Sequence, residues 1–197
     1  MKPVSIIYGT AYPLGLDDVD TDMIISAEWL KTVSRKGLGK GAFAALRSGG
    51  GSVFDDPIYR HSPIIIAGRN FGCGSSREHA VWALLDMGVK AVIASGFSDI
   101  FAGNAYKNGV LAIALEEQAI SDLVVTDRGQ SITIDLANQS VVIASGKLFT
   151  FEFDAFRKKC LLNGMDEIEL TEQSADNIAR FEMDAVRNRP FLANASR

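Results

Sequence analysis

The sequence has few of the residues from which metal centres and disulfide frameworks are built. Its 197 residues include only two cysteines, Cys73 and Cys160, and two histidines. An iron–sulfur cluster needs three or four cysteine thiolates at short spacings, and a structural zinc ion needs four clustered ligands. We therefore predict that this chain ligates no metal. The scarcity of cysteine also favours a reducing compartment, the cytoplasm.

Long apolar runs and clusters of positive charge are also missing. No apolar stretch approaches the roughly 20 residues of a membrane-spanning helix, and residues 1–8 lack the pattern of a signal peptide. The net charge is −4, and no block of lysine and arginine is present that would neutralise a nucleic-acid backbone. With 47% hydrophobic and 22% charged residues, the composition is that of a globular protein without a membrane or nucleic-acid partner.

The middle of the chain has the pattern of a βαβ unit. Residues 63–67 form an apolar run that is typical of a strand buried on both faces, and Glu78–Met87 has the broad apolar face of a helix. Residues 89–94 predict a second strand, and residues 100–108 and 110–115 predict a further helix and strand. These alternating elements indicate an α/β fold with a parallel core.

The pattern changes in the C-terminal third of the chain. Residues 130–153 alternate apolar and polar side chains, and they predict antiparallel hairpins that turn near residues 138–139 and 145–147. Residues 156–162 and 172–186 are predicted helices. The whole is thus a parallel core with antiparallel strands and a helical C-terminal tail.

We expect a single domain over residues 1–197, with a core over residues 1–165 and a helical extension over residues 166–197. Two loops precede the βαβ unit. Residues 17–22 form an acidic loop, and residues 29–41 form a basic, glycine-rich one. The glycines and charges of the second loop predict that it is mobile.

A glycine-rich turn, residues 68–77, joins the first strand of the βαβ unit to its helix. Glycine lets a ligand approach the backbone closely, and a helix N-terminus offers unpaired N–H groups and a positive dipole. Such a turn suits a carboxylate, a phosphate or a developing alkoxide. The spacing of Ser75 and Glu78 is equally consistent with a capping box that has no catalytic role. Arg77 either clasps a carboxylate or is a solvated arginine.

The turn and three other segments together resemble a known family. Residues 70–80, Asn-Phe-Gly-Cys-Gly-Ser-Ser-Arg-Glu-His-Ala, closely resemble the glycine–serine–serine–arginine motif in the swivelling domain of the aconitase superfamily. Residues 18–22, 98–104 and 153–164 resemble further motifs of that family, in the same order. The cysteine between the glycines, and Trp82 after the motif, are similar to the small subunits of bacterial isopropylmalate isomerases, or 3-isopropylmalate dehydratases.

The resemblance implies a fold, a reaction and a partner. The fold would be a swivelling β/β/α domain. The reaction would be that of a hydro-lyase of leucine biosynthesis, which interconverts 2-isopropylmalate and 3-isopropylmalate through 2-isopropylmaleate. A large subunit would form a heterodimer or heterotetramer with this chain and would carry a 4Fe-4S cluster. The chain alone would bind no cofactor and would be inactive.

The resemblance also implies roles for five residues. Ser75 would be the catalytic base that removes a proton from carbon. Its alkoxide would be stabilised by backbone N–H groups from Gly74 to Arg77 and by the arginine itself. Ser76, Arg77 and Gly74 would bind the dicarboxylate substrate. Asp22 would support the catalytic site, although an aspartate that only caps a turn fits the same position.

In the family, the loop over residues 29–41 sets substrate choice. We expect Leu30 and Val33 in this loop to provide an apolar surface that suits an isopropyl group, and we expect residues 37–51 to be mobile without the large subunit. Two alternatives stay open. The chain could serve a related hydro-lyase, a homoaconitase or a methylmalate-type hydratase, or it could be a stand-alone binding module for an anionic metabolite.

Overall fold

The computed structural model describes residues 1–31, 34–126 and 129–189. The chain divides into two compact units, Met1–Gly164 and Met165–Arg197. The first unit contains two four-stranded sheets. The described part of the second unit is helical.

The elements are numbered in chain order. They are β1 (Ile6–Gly9), β2 (Ala11–Pro13), α1 (Thr21–Ile24), α2 (Ala44–Arg47), β3 (Ile64–Ile66), α3 (Glu78–Met87), β4 (Ala91–Ala94), α4 (Asp99–Lys107), β5 (Leu111–Ala114), α5 (Glu117–Thr126), β6 (Ile132–Asp135), β7 (Ser140–Ile143), β8 (Leu148–Thr150), α6 (Ala155–Asn163), α7 (Glu167–Glu172) and α8 (Ala175–Asn188). Short 3₁₀ helices occur at Ala27–Lys31, Leu38–Lys40 and Pro57–Tyr59.

The first sheet is parallel, with its strands in the order β2, β3, β4, β5, and it contains the predicted βαβ unit. β3 and β4 are buried along their whole length because both faces of this sheet are covered. α3 begins and ends where the sequence predicts, at Glu78 and Met87. Gly88 ends the helix with a φ of 98°, a conformation that favours glycine.

The second sheet is antiparallel, with its strands in the order β1, β6, β7, β8. Its two hairpins confirm the prediction for residues 130–153. The first turn is closed by a hydrogen bond from the Gln139 N–H to the Leu136 carbonyl, and the second by one from Gly146 to Ile143. β1, which no pattern predicts, pairs with β6 over four residues.

Alternating side chains of β3 define the layers of the fold. Ile64 and Ile66 belong to a buried cluster that includes Ile134 of the antiparallel sheet. Ile65 lies between them and belongs to a second cluster that includes Leu84 of α3. Since successive side chains of a strand point to opposite faces, the parallel sheet lies between the antiparallel sheet and a helical layer that includes α3 and α4. Leu123 of α5 instead belongs to the cluster that the two sheets share. The predicted β/β/α arrangement is confirmed.

The second unit, taken by itself, has two helices in its described residues where the sequence predicts one over residues 172–186. α7 begins earlier because Asp166 and Glu169 form a capping box, in which each side chain accepts from the backbone N–H of the other residue. The chain then turns at Gln173 and Ser174 before α8. The predicted single helix is therefore wrong at its start.

Candidate active site

The turn between β3 and α3 does not form the capping box that its spacing suggests. α3 begins at Glu78, and its N-cap residue is Arg77, whose side chain makes no capping hydrogen bond. Ser75 lies two residues too early because the Arg77 N–H donates to the Ser75 carbonyl at 2.7 Å, which closes a tight turn before the helix. The Glu78 carboxylate instead accepts from Nδ2 of Asn108 at 2.7 Å, which ties α3 to the end of α4.

Two glycines fix the path of the turn for different reasons. Gly72 has a φ of 77°, and a Cβ at this position would lie 2.2 Å from Cγ of Phe101, so that only glycine fits. Gly74 has a φ of 90°, but the nearest atom to its Cβ position is 3.5 Å away. Gly74, Ser75 and Ser76 are exposed. The part of the turn that carries the two serines therefore faces solvent.

The acidic loop lies alongside the turn and is hydrogen-bonded to it. Oδ1 of Asp17 accepts from the Arg69 N–H at 2.9 Å, across 52 residues of sequence. Further along, the Gly72 N–H donates to the Val19 carbonyl at 2.7 Å. The acidic motif and the glycine-rich motif, which are separate in the sequence, thus form one structure.

Thr21 makes two hydrogen bonds to the turn. Its N–H donates to the Cys73 carbonyl at 2.9 Å, and its Oγ1 accepts from the Ser75 N–H at 3.1 Å. Thr21 is only 2% exposed, so the Thr21 side of both bonds is shielded from competing water. The backbone on both sides of Gly74 is held by this one residue.

Asp22 follows directly and forms an ion pair with Arg77, from Nη1 to Oδ1. The carboxylate lies near the start of α3, so it offsets the unfavourable position of a cation at the positive end of the helix dipole. The N-cap of α1 is Asp20, whose carboxylate accepts from the Met23 N–H at 2.7 Å. The capping role that the sequence left open for Asp22 therefore belongs to Asp20.

The structure corrects the set of N–H donors expected for an anion at this turn. The Ser75 N–H donates to Thr21, and the Arg77 N–H donates to the Ser75 carbonyl. Among the hydrogen bonds of the described residues, none uses the N–H of Gly74 or of Ser76. Two donors, not four, are left for a ligand.

Of the two residues expected to contact an isopropyl group, only Leu30 lies within the described residues. Leu30 lies in the 3₁₀ helix Ala27–Lys31, where it is half-buried and packs against the cluster that contains α3 residues. Val33 lies outside the described residues. The substrate role of both residues stays a prediction.

The described residues 37–39 of the loop over residues 29–41 are fastened to α3. Oδ2 of Asp86 accepts from the N–H groups of Gly37 at 2.9 Å and Gly39 at 2.8 Å. The Arg35 guanidinium lies over the Trp82 ring, with its Cζ 4.6 Å from the ring centroid. The sequence predicts mobility for this loop, and the structure shows where its described second half is anchored.

Cysteine chemistry has no evident part in the site. Burial raises the pKa of the Cys73 thiol, and the carboxylates of Asp20 and Asp18 raise it further, which keeps the thiol protonated. Cys160 is buried in α6. Two cysteines in separate elements do not fit a 4Fe-4S cluster. Among the described residues, no three His, Cys, Asp or Glu side chains are grouped so as to hold a metal ion.

The fold and the turn are those of one known class of domain. The family described as Aconitase C-terminal domain matches residues 1–118. The crystal structure of 3-isopropylmalate dehydratase from Methanocaldococcus jannaschii superposes with a TM-score of 0.70 and is 32% identical, covering 89% of this chain and 99% of that one. In the ranges 1–31, 34–126 and 129–189, no helix is both long and apolar enough to cross a bilayer.

More similar relatives narrow the class. The 3-isopropylmalate dehydratase small subunit of Novosphingobium aromaticivorans is 54% identical over 196 residues, which cover 100% of this chain and 97% of the relative. That of Zymomonas mobilis is 53% identical over 192 residues, which cover 98% of this chain and 100% of the relative. The chain belongs to the family of 3-isopropylmalate dehydratase small subunits.

Sequence reasoning misses two residues that organise this site. Thr21 lies within the acidic motif, but the motif alone gives it no role. Its signal would have been a hydroxyl residue between two aspartates. Asp86 near the end of α3 gives no signal, because its two partners, Gly37 and Gly39, lie 49 and 47 residues away in sequence.

Proposed function

We propose that the chain is the small subunit of an isopropylmalate isomerase, which interconverts 2-isopropylmalate and 3-isopropylmalate through 2-isopropylmaleate and is active only with a large subunit. One observation carries this proposal: Thr21 and Asp22 are paired with the turn at Ser75 and Arg77. This pairing gathers a hydroxyl, a guanidinium and unused N–H groups on an open surface. A surface of this kind is half of a dicarboxylate site that a second subunit completes.

Ser75 is the proton acceptor in this proposal. A serine hydroxyl is a weak base unless its alkoxide is stabilised. The charge of Arg77 and the unused N–H groups of Gly74 and Ser76 supply that stabilisation from fixed positions. The alkoxide takes the proton from the carbon beside the one that bears the hydroxyl group. The double bond forms as that hydroxyl group departs as hydroxide, for which the cluster of the large subunit would supply a Lewis acid. Rehydration in the opposite sense gives the isomer.

Arg77 and Ser76 bind the substrate carboxylates. A guanidinium has five N–H donors, and the contact with Asp22 is made through Nη1, so the remaining donors are available for a bidentate contact with a carboxylate. The Arg77 side chain is 22% exposed, compared with 56% for Asp22. Asp22 therefore orients a guanidinium that is already confined.

The large subunit carries the 4Fe-4S cluster in this proposal, because the cysteines of the chain do not fit one. Assembly with that subunit, as a heterodimer or heterotetramer, takes place in the cytoplasm. The apolar surface from Leu30 selects the isopropyl group, and a polar residue at this position reduces the preference for isopropylmalate over smaller malates.

The test is anaerobic reconstitution with a large subunit of the same family. We expect 2-isopropylmaleate to form from 3-isopropylmalate with the pair and not with either chain alone. Homocitrate and 2-methylmalate, assayed in parallel, should be turned over much more slowly. Faster turnover of either compound would assign the chain to a related hydro-lyase. Tight binding of isopropylmalate to the isolated chain, without turnover by the pair, would favour a stand-alone binding module.

A further inference from the structure

We propose that Thr21 is a positioning residue that sets the place of Ser75, an inference that rests on the proposed function and on Ser75 as its base. The Thr21 side chain makes no hydrogen bond to Ser76 or to Arg77, the residues assigned to the substrate carboxylates. It acts through the backbone of the turn, by accepting the Ser75 N–H on Oγ1 at 3.1 Å.

The turn needs an outside support at this point. Gly74 has a φ of 90°, and the atoms nearest to its Cβ position, on Asp20 and Thr21, lie 3.5 Å away at an ordinary van der Waals distance, so no tight packing fixes the peptide before Ser75. The residues from Gly74 to Ser76 are exposed. Hydrogen bonds from outside the turn are therefore the main constraint on the Ser75 backbone. The Thr21 hydroxyl accepts the one that the Ser75 N–H donates.

Because Thr21 is buried, loss of this hydrogen bond would cost free energy. In the described part of the chain, the buried polar residues are Thr21 and Ser62. A buried hydroxyl costs free energy unless it is hydrogen-bonded, so a threonine at this position needs its polar contact to be made. Valine has the same shape without the hydroxyl group, and it would leave the Ser75 N–H to find water instead.

Thr21 also links the two halves of the site. The next residue, Asp22, pairs with the Arg77 guanidinium. Adjacent residues of α1 thus hold the backbone of the base and the side chain that stabilises its charge. Loss of the hydroxyl group lets the serine shift relative to the guanidinium. The rate of proton transfer then falls, whereas the carboxylate contact of the Arg77 guanidinium, which Asp22 holds in place, is kept.

The experiment compares Thr21→Val and Thr21→Ser in the reconstituted pair. Thr21→Val should lower kcat about 10- to 100-fold, the size expected when a catalytic group is misplaced by about 1 Å, with KM within about twofold of the wild type. Thr21→Ser keeps the hydroxyl group and should restore most of kcat. Thr10→Val is the matched control, because it removes a hydroxyl group that is hydrogen-bonded to Ser62. It should leave kcat unchanged.

The outcomes separate this inference from the proposed function. If the wild-type pair does not form 2-isopropylmaleate, the proposed function fails. If the wild-type pair is active and Thr21→Val matches its kcat, the positioning role is overturned. Equal losses in Thr21→Val and Thr21→Ser would also overturn it, since packing and not the hydroxyl group would then matter. If the valine variant does not bind the large subunit, Thr21→Ala compared with Thr21→Ser isolates the hydroxyl group in the same way.

Discussion

Gly72 and Gly50 share a backbone conformation but not an environment. Their φ angles are 77° and 73°, both in the left-handed region. A Cβ on Gly72 would meet the Phe101 ring at 2.2 Å, whereas a Cβ on Gly50 would meet nothing within 4 Å. The pair therefore separates the cost of the backbone conformation from the cost of the collision.

We expect Gly50→Ala to lower the free energy of unfolding by about 1 kcal/mol, the cost of a left-handed residue with a Cβ. Gly72→Ala should lower it by a further 1–3 kcal/mol or so, because the Phe101 ring must move. Urea denaturation of both variants gives the two values. Equal losses would mean that the ring yields without cost and that Gly72 is needed for its φ alone.

Cys73 is expected to be unreactive despite its place beside Ser75 in the glycine-rich turn. Its pKa is raised by burial first and by Asp20 and Asp18 next, so its thiolate forms at a higher pH than that of an ordinary cysteine. Alkylation by iodoacetamide, followed by mass spectrometry, should have a higher pH midpoint at Cys73 than in a model peptide. A midpoint below that of the peptide would contradict the assigned environment.

At the scale of elements, Asp86 fastens residues 37–39 to α3. Its carboxylate accepts two backbone N–H groups, from Gly37 and Gly39, and hydrogen bonds to a charged acceptor are worth about 1.5–3 kcal/mol. Asp86→Ala should therefore raise the hydrogen-exchange rates of both amides about tenfold or more. The Gly88 amide, which donates to the Leu85 carbonyl at the same end of α3, should not change. Unaltered exchange at Gly37 and Gly39 would show that Asp86 is not the anchor.

The elements that sequence predicts well are those with a complete local signal. α3 has a continuous apolar face and a glycine that ends it, and the hairpins of the second sheet have alternating residues with turn residues between them. β1 and β2 lie where Gly9 and Pro13 interrupt the apolar run, so no strand pattern marks them. β1 is defined by its pairing with β6, which is distant in sequence.

The candidate site is predictable in its residues but not in its connections. Ser75, Ser76, Arg77 and Asp22 are found through the resemblance of two motifs. The partner of Arg77 in this structure, the capping role of Asp20 and the support by Thr21 depend on contacts between those motifs. A one-dimensional pattern contains no such contacts, and for the same reason the spacing of Ser75 and Glu78 suggests the wrong cap.

At the scale of the whole molecule, the chain is expected to tolerate removal of its second unit. The first unit ends at Gly164, whose carbonyl accepts from the N-terminal ammonium of Met1 at 2.8 Å. The crystal structure from Methanocaldococcus jannaschii matches 89% of this chain with 99% of its own length, so the fold exists without part of this chain. A chain that ends after residue 165 should unfold cooperatively in urea, with the circular dichroism of a β/β/α domain. A broad, non-cooperative transition would show that the extension is part of the domain.

The central claim is that the base of the reaction lies on this chain while the partner completes the site. The most direct measurement is the rate of 2-isopropylmaleate formation by the reconstituted pair with Ser75→Ala, compared with the wild-type pair at saturating substrate. Loss of a general base should lower kcat about 10²- to 10⁴-fold, with assembly unchanged. A Ser75→Ala pair that turns over at the wild-type rate would place the base elsewhere and would contradict the account.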